Sequence, residues 1–162
     1  MPHYRTAILT YLDVLGFSEL VHQSASDPAK VSEIMSILKI AKKRGTCGIA
    51  TGGEYATKII TRTFTFSDLI IRITYVEPHD DLIVRLNMEL MMLAGIQCEL
   101  TAIHGILLRG GVSLGPCYGD DEYLFGPALI QSYRLEEQVA LFPRIVIDTD
   151  LVTEAAKRPN EI

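Results

Sequence analysis

Short runs rich in β-forming residues alternate along the chain with longer segments in which apolar residues recur at helical spacing. Residues 7–14 are apolar and β-branched, which predicts a strand buried on both faces and ended by Gly16. Residues 17–22 begin a helix, and residues 29–43 carry apolar side chains at the spacing of a second helix. Residues 45–53 are then predicted to form a loop.

The middle of the chain predicts a hairpin, a long helix and a second pair of strands. Residues 58–67 and 69–75 are rich in β-formers and meet at the polar pair Ser67-Asp68, which is typical of a hairpin turn. Asp81 is the expected N-cap of a helix that runs to about residue 104. Residues 106–114 and 116–125 are predicted to pair as antiparallel strands.

The end of the chain predicts a helix at residues 127–141, opened by Gly126-Pro127, then a strand at residues 144–148 and a short final helix. The order of elements, βααββαββαβ and a helix, favours an α+β or α/β sandwich with a largely antiparallel sheet. No repeat or linker divides the sequence, so residues 1–162 are expected to form a single domain.

Composition and charge limit the partners that the chain can have. The 162 residues are 48% hydrophobic, and the formal net charge is −5 without an extended basic run, which argues against binding to nucleic acid. The apolar residues 82–106 include too many polar groups to span a membrane. Three cysteines without metal-ligand spacing fit reduced thiols, so a soluble, cytoplasmic protein is expected.

Two isolated carboxylates carry the main functional hypothesis. Asp13 interrupts an apolar run, and a buried carboxylate is costly unless a cation or hydrogen-bond donors compensate its charge. If the strand that ends at Asp13 lies beside the hairpin tipped by Asp68, both carboxylates emerge at one end of the sheet. Oxygen ligands of this kind suit Mg²⁺ or Mn²⁺, and phosphoryl-transfer centres commonly hold two such ions.

The glycine that follows Asp13 suggests a phosphate site. A backbone that turns through Val14, Leu15, Gly16 and Phe17 into a helix N-terminus can offer N–H groups to a phosphate. Two simpler interpretations remain open at this point: Asp13 caps the helix, and Asp68 is an ordinary turn residue.

Three segments together resemble the catalytic domain of class III nucleotidyl cyclases. They are TYLDVLGF at residues 10–17, FSDLIIRI at residues 66–73, and LLRGGVSLGPCYGDDEYLFGPALIQSYRLEEQVALFPRIVID at residues 107–148. The resemblance implies a ferredoxin-like palm fold that cyclises a nucleoside triphosphate and releases pyrophosphate. It also implies a homodimer with shared active sites.

The same resemblance assigns roles to individual residues. Asp13 and Asp68 match the family's metal ligands for two ions, although Ser67 replaces the usual glycine before the second aspartate. Arg134 matches the arginine that stabilises the transition state across the dimer interface; a solvated helix charge is the alternative. Arg109 is either a phosphate ligand or, as we favour, part of a structural salt bridge.

The sequence departs from the purine cyclases where these contact the nucleoside. Ile130 stands in place of the asparagine that holds the ribose, and Tyr123 in place of the aspartate that reads adenine. Thr63-Phe64-Thr65-Phe66 lacks the lysine expected before the hairpin aspartate. Because the side chains at the base contacts differ, the enzyme should recognise a base other than a purine. Tyr123 is therefore a candidate base contact, unless it only packs on the sheet.

These departures, with Phe-Ser-Asp, Arg-Gly-Gly-Val-Ser and Phe-Gly-Pro-Ala-Leu, resemble the bacterial pyrimidine cyclases of Pycsar anti-phage systems. The resemblance implies that UTP, or else CTP, is converted to a cyclic nucleotide that activates an effector protein. It also implies a C-terminal hairpin, for which few residues remain after Asp148. The alternatives are a cyclase of purine specificity and a catalytically silent nucleotide-binding dimerisation module.

Overall fold

The structure, a computed structural model, describes residues 3–45 and 61–157. The loop predicted at residues 45–53 lies outside these ranges except for its first residue, and so does the start of the strand predicted at residues 58–67. The strands are β1 (Arg5–Val14), β2 (Thr61–Phe66), β3 (Leu69–Tyr75), β4 (Leu108–Gly119), β5 (Leu124–Phe125) and β6 (Ile145–Ile147). The helices are α1 (Phe17–Ser24), α2 (Pro28–Gly45), α3 (Leu82–His104), α4 (Pro127–Arg134) and α5 (Thr149–Ala155).

The strands form one six-stranded sheet in the order β2-β3-β1-β4-β5, with β6 also paired to β4. Every pairing is antiparallel except that of β4 with β6. This arrangement confirms the predicted α+β class with a largely antiparallel sheet flanked by helices.

The central strand β1 is buried because its two faces enter two different apolar clusters. Ile8 and Leu12 face the larger core, which α1, α2, α3 and α5 cover, while Ala7 and Leu9 face a smaller cluster that includes Ala128 of α4. Alternate side chains of a strand point to opposite faces, so a continuous apolar run is what a doubly covered strand requires. The sequence therefore predicts this strand correctly.

A buried ion pair joins the sheet to the longest helix. Arg72 of β3 donates from Nε and Nη2 to the two carboxylate oxygens of Glu89 in α3, at 2.6 and 2.7 Å. Thr10 of β1 donates its hydroxyl to the same carboxylate at 2.9 Å. Because both charges are buried, removal of one partner would cost about 3–5 kcal/mol.

The strand pair predicted at residues 106–114 and 116–125 is wrong. A single strand, β4, runs through Gly115, and the chain reverses only after Gly119. The carboxylate of Asp120 accepts hydrogen bonds from the amides of Glu122 and Tyr123 at 2.9 and 2.7 Å, so the side chain of Asp120 builds the turn.

The helix predicted at residues 127–141 changes its hydrogen bonding partway. It is α-helical as α4 and continues as a π-turn, Leu135–Val139, in which the amide of Ala140 donates to the carbonyl of Leu135 at 2.9 Å. The extra residue in this turn shifts the side chains that follow Arg134 away from α-helical positions.

The remaining helix and strand predictions agree with the structure within a few residues, and Asp81 caps α3 as expected. Within residues 3–45 and 61–157, no helix has the length and apolar character needed to cross a membrane. Cys98 and Cys117 are free thiols, whereas Cys47 lies outside the described residues.

Candidate functional site

The structure brings Asp13 and Asp68 to the same end of the sheet. Asp13 is the register partner of Leu69 at the start of β3, and the amide of Val14 donates to the carbonyl of Asp68 at 3.1 Å. This hydrogen bond makes the backbones of the two aspartates neighbours at this end of the sheet. The geometry on which the metal hypothesis depends is therefore present.

A two-residue turn carries Asp68 to this position. Phe66 and Leu69 are paired, and Ser67 between them has φ of 57°, in the left-handed region. Glycine adopts this region without steric cost, whereas serine is strained there by roughly 1–2 kcal/mol. A glycine at position 67 would adopt this conformation without strain.

Arg109 lies opposite Asp13 and joins two carboxylates. It is the register partner of Asp13 in β4, and its Nη2 lies 3.2 Å from Oδ2 of Asp13. Its Nε lies 2.6 Å from Oε1 of Glu136, although the N–H does not point at the oxygen, so this contact is an ion pair without an aligned hydrogen bond. These contacts confirm the salt bridge that the sequence analysis favoured for Arg109.

The site carries more negative than positive charge. Burial raises the pKa of Asp13; the guanidinium of Arg109 opposes this shift and the charge of Asp68 adds to it. Burial likewise raises the pKa of Glu136, against the opposing effect of Arg109. Because Asp13 and Glu136 share one guanidinium and Asp68 adds a further negative charge, a divalent cation beside Asp13 would relieve repulsion and compensate lost solvation.

The donor set suits a hard cation that is held jointly with a ligand. No group of three or more His, Cys, Asp or Glu side chains that could hold a metal occurs in residues 3–45 and 61–157. Magnesium typically uses one or two protein carboxylates and completes its coordination with water and substrate phosphates. Asp13 and Asp68 fit that pattern, whereas a structural zinc site would need more side-chain ligands.

The turn after Asp13 leads into the N-terminus of α1. Gly16, with φ of 80°, occupies the N-cap position, and no side chain caps the helix. The first-turn amides of a helix lack intrahelical partners and are available to an anion. The amides of Val14 and Leu15, by contrast, already donate to the carbonyls of Asp68 and Leu107. The expectation that these two amides face a phosphate is therefore wrong; Gly16 and Phe17 keep that predicted role.

Arg134 and Tyr123 are exposed, and neither forms a hydrogen bond or an ion pair with Asp13 or Asp68. Arg134, in the last turn of α4, is exposed and forms no ion pair with any side chain that the structure describes. Tyr123 is 61% exposed beside the β4–β5 turn. Less than half of its surface is covered, so the structure leaves the ring accessible. The roles of both residues in catalysis and base contact stay predictions.

Two residues of the site, Tyr11 and Glu136, were not predicted from the sequence. Tyr11 lies two positions before Asp13, on the same face of β1, and burial together with the nearby carboxylates raises the pKa of its hydroxyl. The two-residue periodicity of a strand was the signal that could have found it. Glu136 gives no such signal, because the π-turn places it where an α-helical pattern would not.

Comparisons with known proteins agree on the fold. No protein-family model matches the chain, and no curated protein sequence matches it. Among solved structures, the adenylyl cyclase CyaB from P. aeruginosa matches with a TM-score of 0.60 and 17% identity, over 94% of this chain and 81% of that chain. An adenylate/guanylate cyclase/hydrolase from Silicibacter pomeroyi matches with a TM-score of 0.53 and 17% identity, over 95% of this chain and 82% of that chain.

The fold is thus that of nucleotidyl cyclase catalytic domains, as the sequence resemblance predicted. At 17% identity these similarities establish the architecture, and the chemistry must be argued from the site.

Proposed function

We propose that the protein is a metal-dependent nucleotidyl cyclase that converts UTP, or else CTP, to the 3′,5′-cyclic monophosphate and pyrophosphate. The observation that carries the proposal is the convergence of Asp13 and Asp68 at one end of the sheet, next to the uncapped N-terminus of α1. The structural similarity to cyclases supports the proposal because the convergence occurs on the same fold.

Each part of the site has a distinct task in this reaction. Asp13 and Asp68 would hold one or two Mg²⁺ or Mn²⁺ ions, which supply Lewis acidity toward the ribose 3′-hydroxyl and the triphosphate. The amides from Gly16 onward offer hydrogen bonds to phosphate oxygens. Arg134, exposed and without an ionic partner among the described residues, supplies a planar guanidinium that can bind two phosphate oxygens.

We further propose that two copies of the chain share the active sites, so that Arg134 of one copy completes the site of the other. Exposed apolar side chains flank the sheet face that carries Tyr11 and Asp13: Phe66 is 80% exposed, Ile130 54% and Tyr133 40%. Exposed apolar patches of this kind commonly mark protein–protein interfaces.

The preference for a pyrimidine rests on the side chains at the expected base and ribose contacts. Ile130 is exposed and apolar, and Thr63-Phe64-Thr65-Phe66 before the hairpin turn includes no lysine, so the polar groups expected to contact a purine nucleoside are missing. The exposed Tyr123 has a hydroxyl that can donate or accept one hydrogen bond to a base. The preference for UTP over CTP rests on the sequence resemblance alone.

The biological setting that we propose follows from the same resemblance. The cyclic nucleotide would act in the bacterial cytoplasm as a second messenger of anti-phage defence, by activating a separate effector protein. Neither nucleic acid nor a membrane is required for this role.

Product analysis tests the function directly. The purified protein, at a concentration that favours dimers, is incubated with UTP, CTP, ATP or GTP and Mn²⁺, and the products are identified by mass spectrometry. Cyclic UMP or cyclic CMP is the expected dominant product. Nucleotide binding without turnover of any triphosphate would reject the cyclase and favour a silent binding module.

A purine cyclase is the second candidate, because the similar solved structures are described as adenylyl or adenylate/guanylate cyclases. Cyclic AMP or cyclic GMP as the dominant product would select this alternative. It would also show that Tyr123 and Ile130 do not determine the base.

A further inference from the structure

Glu136 is a buried carboxylate to which the proposed chemistry assigns no task. Its side chain is 5% exposed, and its Oε1 lies 2.6 Å from Nε of Arg109. Glutamate is almost never fully buried unless it is paired. The pairing with Arg109 explains why this burial is tolerated, and it connects Glu136 to the candidate metal site.

Arg109 bridges Glu136 and Asp13 unequally. The contact from Nε to Glu136 is 2.6 Å and reaches the buried carboxylate, whereas the contact from Nη2 to Asp13 is 3.2 Å and reaches a side chain that is 25% exposed. Arg109 thus donates its hydrogen bond to Asp13 and forms a shorter ion pair with the buried Glu136, which would still hold the guanidinium if Asp13 released it.

The backbone fixes Glu136 in this position. The π-turn that begins at Leu135 packs on β4 at Gly111, where a Cβ atom would lie 2.2 Å from the carbonyl oxygen of Ser132 and 3.1 Å from the amide of Glu136. The absence of a side chain at Gly111 thus allows the close approach that brings Glu136 beneath Arg109. π-Turns are rare and often lie at functional sites.

A cation that binds Oδ2 of Asp13 must compete with the guanidinium of Arg109, which lies 3.2 Å from that oxygen. Release of Asp13 would leave the charge of Arg109 without a partner in a site that is only partly exposed, unless a second carboxylate stays in contact. Glu136 is in contact with Arg109 and does not depend on Asp13 for its position.

We propose that Glu136 is a positioning residue for metal binding: it retains Arg109 while Asp13 exchanges the guanidinium for a divalent cation. The proposal rests on the proposed function only in taking Asp13 as a metal ligand. It concerns the affinity for the metal and not the identity of the base.

Titration of the nucleotide-free, full-length protein with Mn²⁺, followed by electron paramagnetic resonance, tests the proposal. Glu136→Gln should raise the Mn²⁺ concentration at half-saturation by about tenfold, the scale on which partners of metal ligands act. Glu137→Gln is the matched control, because it removes the same charge from an exposed neighbour that does not pair with Arg109. It should leave half-saturation within about twofold, since salt screens an exposed charge.

A double variant separates positioning from a merely structural role. Arg109→Met combined with Glu136→Gln removes both the competing guanidinium and its ion-pair partner. The Mn²⁺ concentration at half-saturation should therefore return to the wild-type value or fall below it. If Glu136→Gln weakened Mn²⁺ binding only by disrupting the structure, the added Arg109→Met substitution would not restore that binding. Thermal melts of each variant show whether it is folded, and Glu136→Asp, with the charge retained at a shorter reach, should give an intermediate half-saturation.

The outcomes distinguish this inference from the proposed function. An unchanged half-saturation in folded Glu136→Gln, with cyclic product still formed by the wild type, would overturn the inference and leave the cyclase standing. The expected shift without any cyclic product would support the inference and overturn the function. Failure of the wild-type protein to bind Mn²⁺ would overturn the role of Glu136.

Discussion

At the scale of single residues, the site is defined by carboxylates whose partial burial costs free energy of folding. Asp13 is partly buried, lies near the charge of Asp68, and is compensated by one guanidinium that it shares with Glu136. A protein that needed only stability would place an apolar residue at position 13, as it does at Leu9 in the same strand. The retained charge is the reason for proposing that Asp13 takes part in the chemistry.

Asp68→Ala should abolish turnover while leaving the fold intact. The loss should be at least about 100-fold, because several kcal/mol of transition-state stabilisation depend on the metal ions that Asp68 helps to hold. The backbone bond from Val14 to the carbonyl of Asp68 survives the substitution, so the free energy of unfolding should change by no more than about 0.5 kcal/mol. Cyclase assays and urea denaturation measure the two effects.

Asp121→Ala is the control for this substitution, since Asp121 is an exposed aspartate in another hairpin turn, with a side chain that is 99% exposed. It should keep wild-type activity. Full activity in Asp68→Ala would remove Asp68 from the site.

At the scale of elements, the contact between β4 and the helix that follows β5 determines the shape of the site. Gly111 lies against the backbone of Ser132 where α4 gives way to the π-turn. The same strand carries Arg109 two residues earlier. One close contact between elements thus sets the relative positions of Arg109 and Glu136.

Gly111→Ala should destabilise the protein by about 1–3 kcal/mol, because the added Cβ would overlap the carbonyl oxygen of Ser132 and force the helix away from the strand. Gly115→Ala, in the same strand, is the matched control. Its Cβ would lie 3.6 Å from that of Ala128, an ordinary contact, so stability should be unchanged or slightly increased. Urea denaturation of both variants is the measurement, and equal stabilities would contradict the packing argument.

At the scale of the whole molecule, the proposal of a shared active site depends on Arg134. Arg134 makes neither a hydrogen bond nor an ion pair with Asp13 or Asp68 of its own chain, and it lies near exposed apolar side chains such as Tyr133. A site completed by a second copy accounts for both observations.

Mixing of two inactive variants should restore activity if the site is shared. In a mixture of equal amounts of Asp68→Ala and Arg134→Ala, half of the dimers contain one chain of each kind, and each such dimer has one intact site. Activity should therefore recover to about a quarter of the wild-type value. The measurement is cyclic nucleotide formation before and after subunit exchange, with each variant alone as control; no recovery after proven exchange would place Arg134 and Asp68 in the same chain's site.

The sequence by itself determined the order of elements and the candidate aspartates. The apolar run of β1, the Ser67-Asp68 turn and the Asp81 cap are local signals, since each depends on neighbouring residues along the chain. The path of β4 through Gly115 was missed because the side chain of Asp120, and not the glycine, makes the turn. Strand alternation could also have pointed to Tyr11.

Only the tertiary structure decided which charges meet. The network of Asp13, Arg109 and Glu136 joins residues far apart in the sequence, and no local pattern specifies such a contact. The π-turn that positions Glu136 depends on packing against Gly111, a residue of another element. Local propensities fix where the strands and helices lie along the chain, whereas burial and charge compensation between distant segments fix the site.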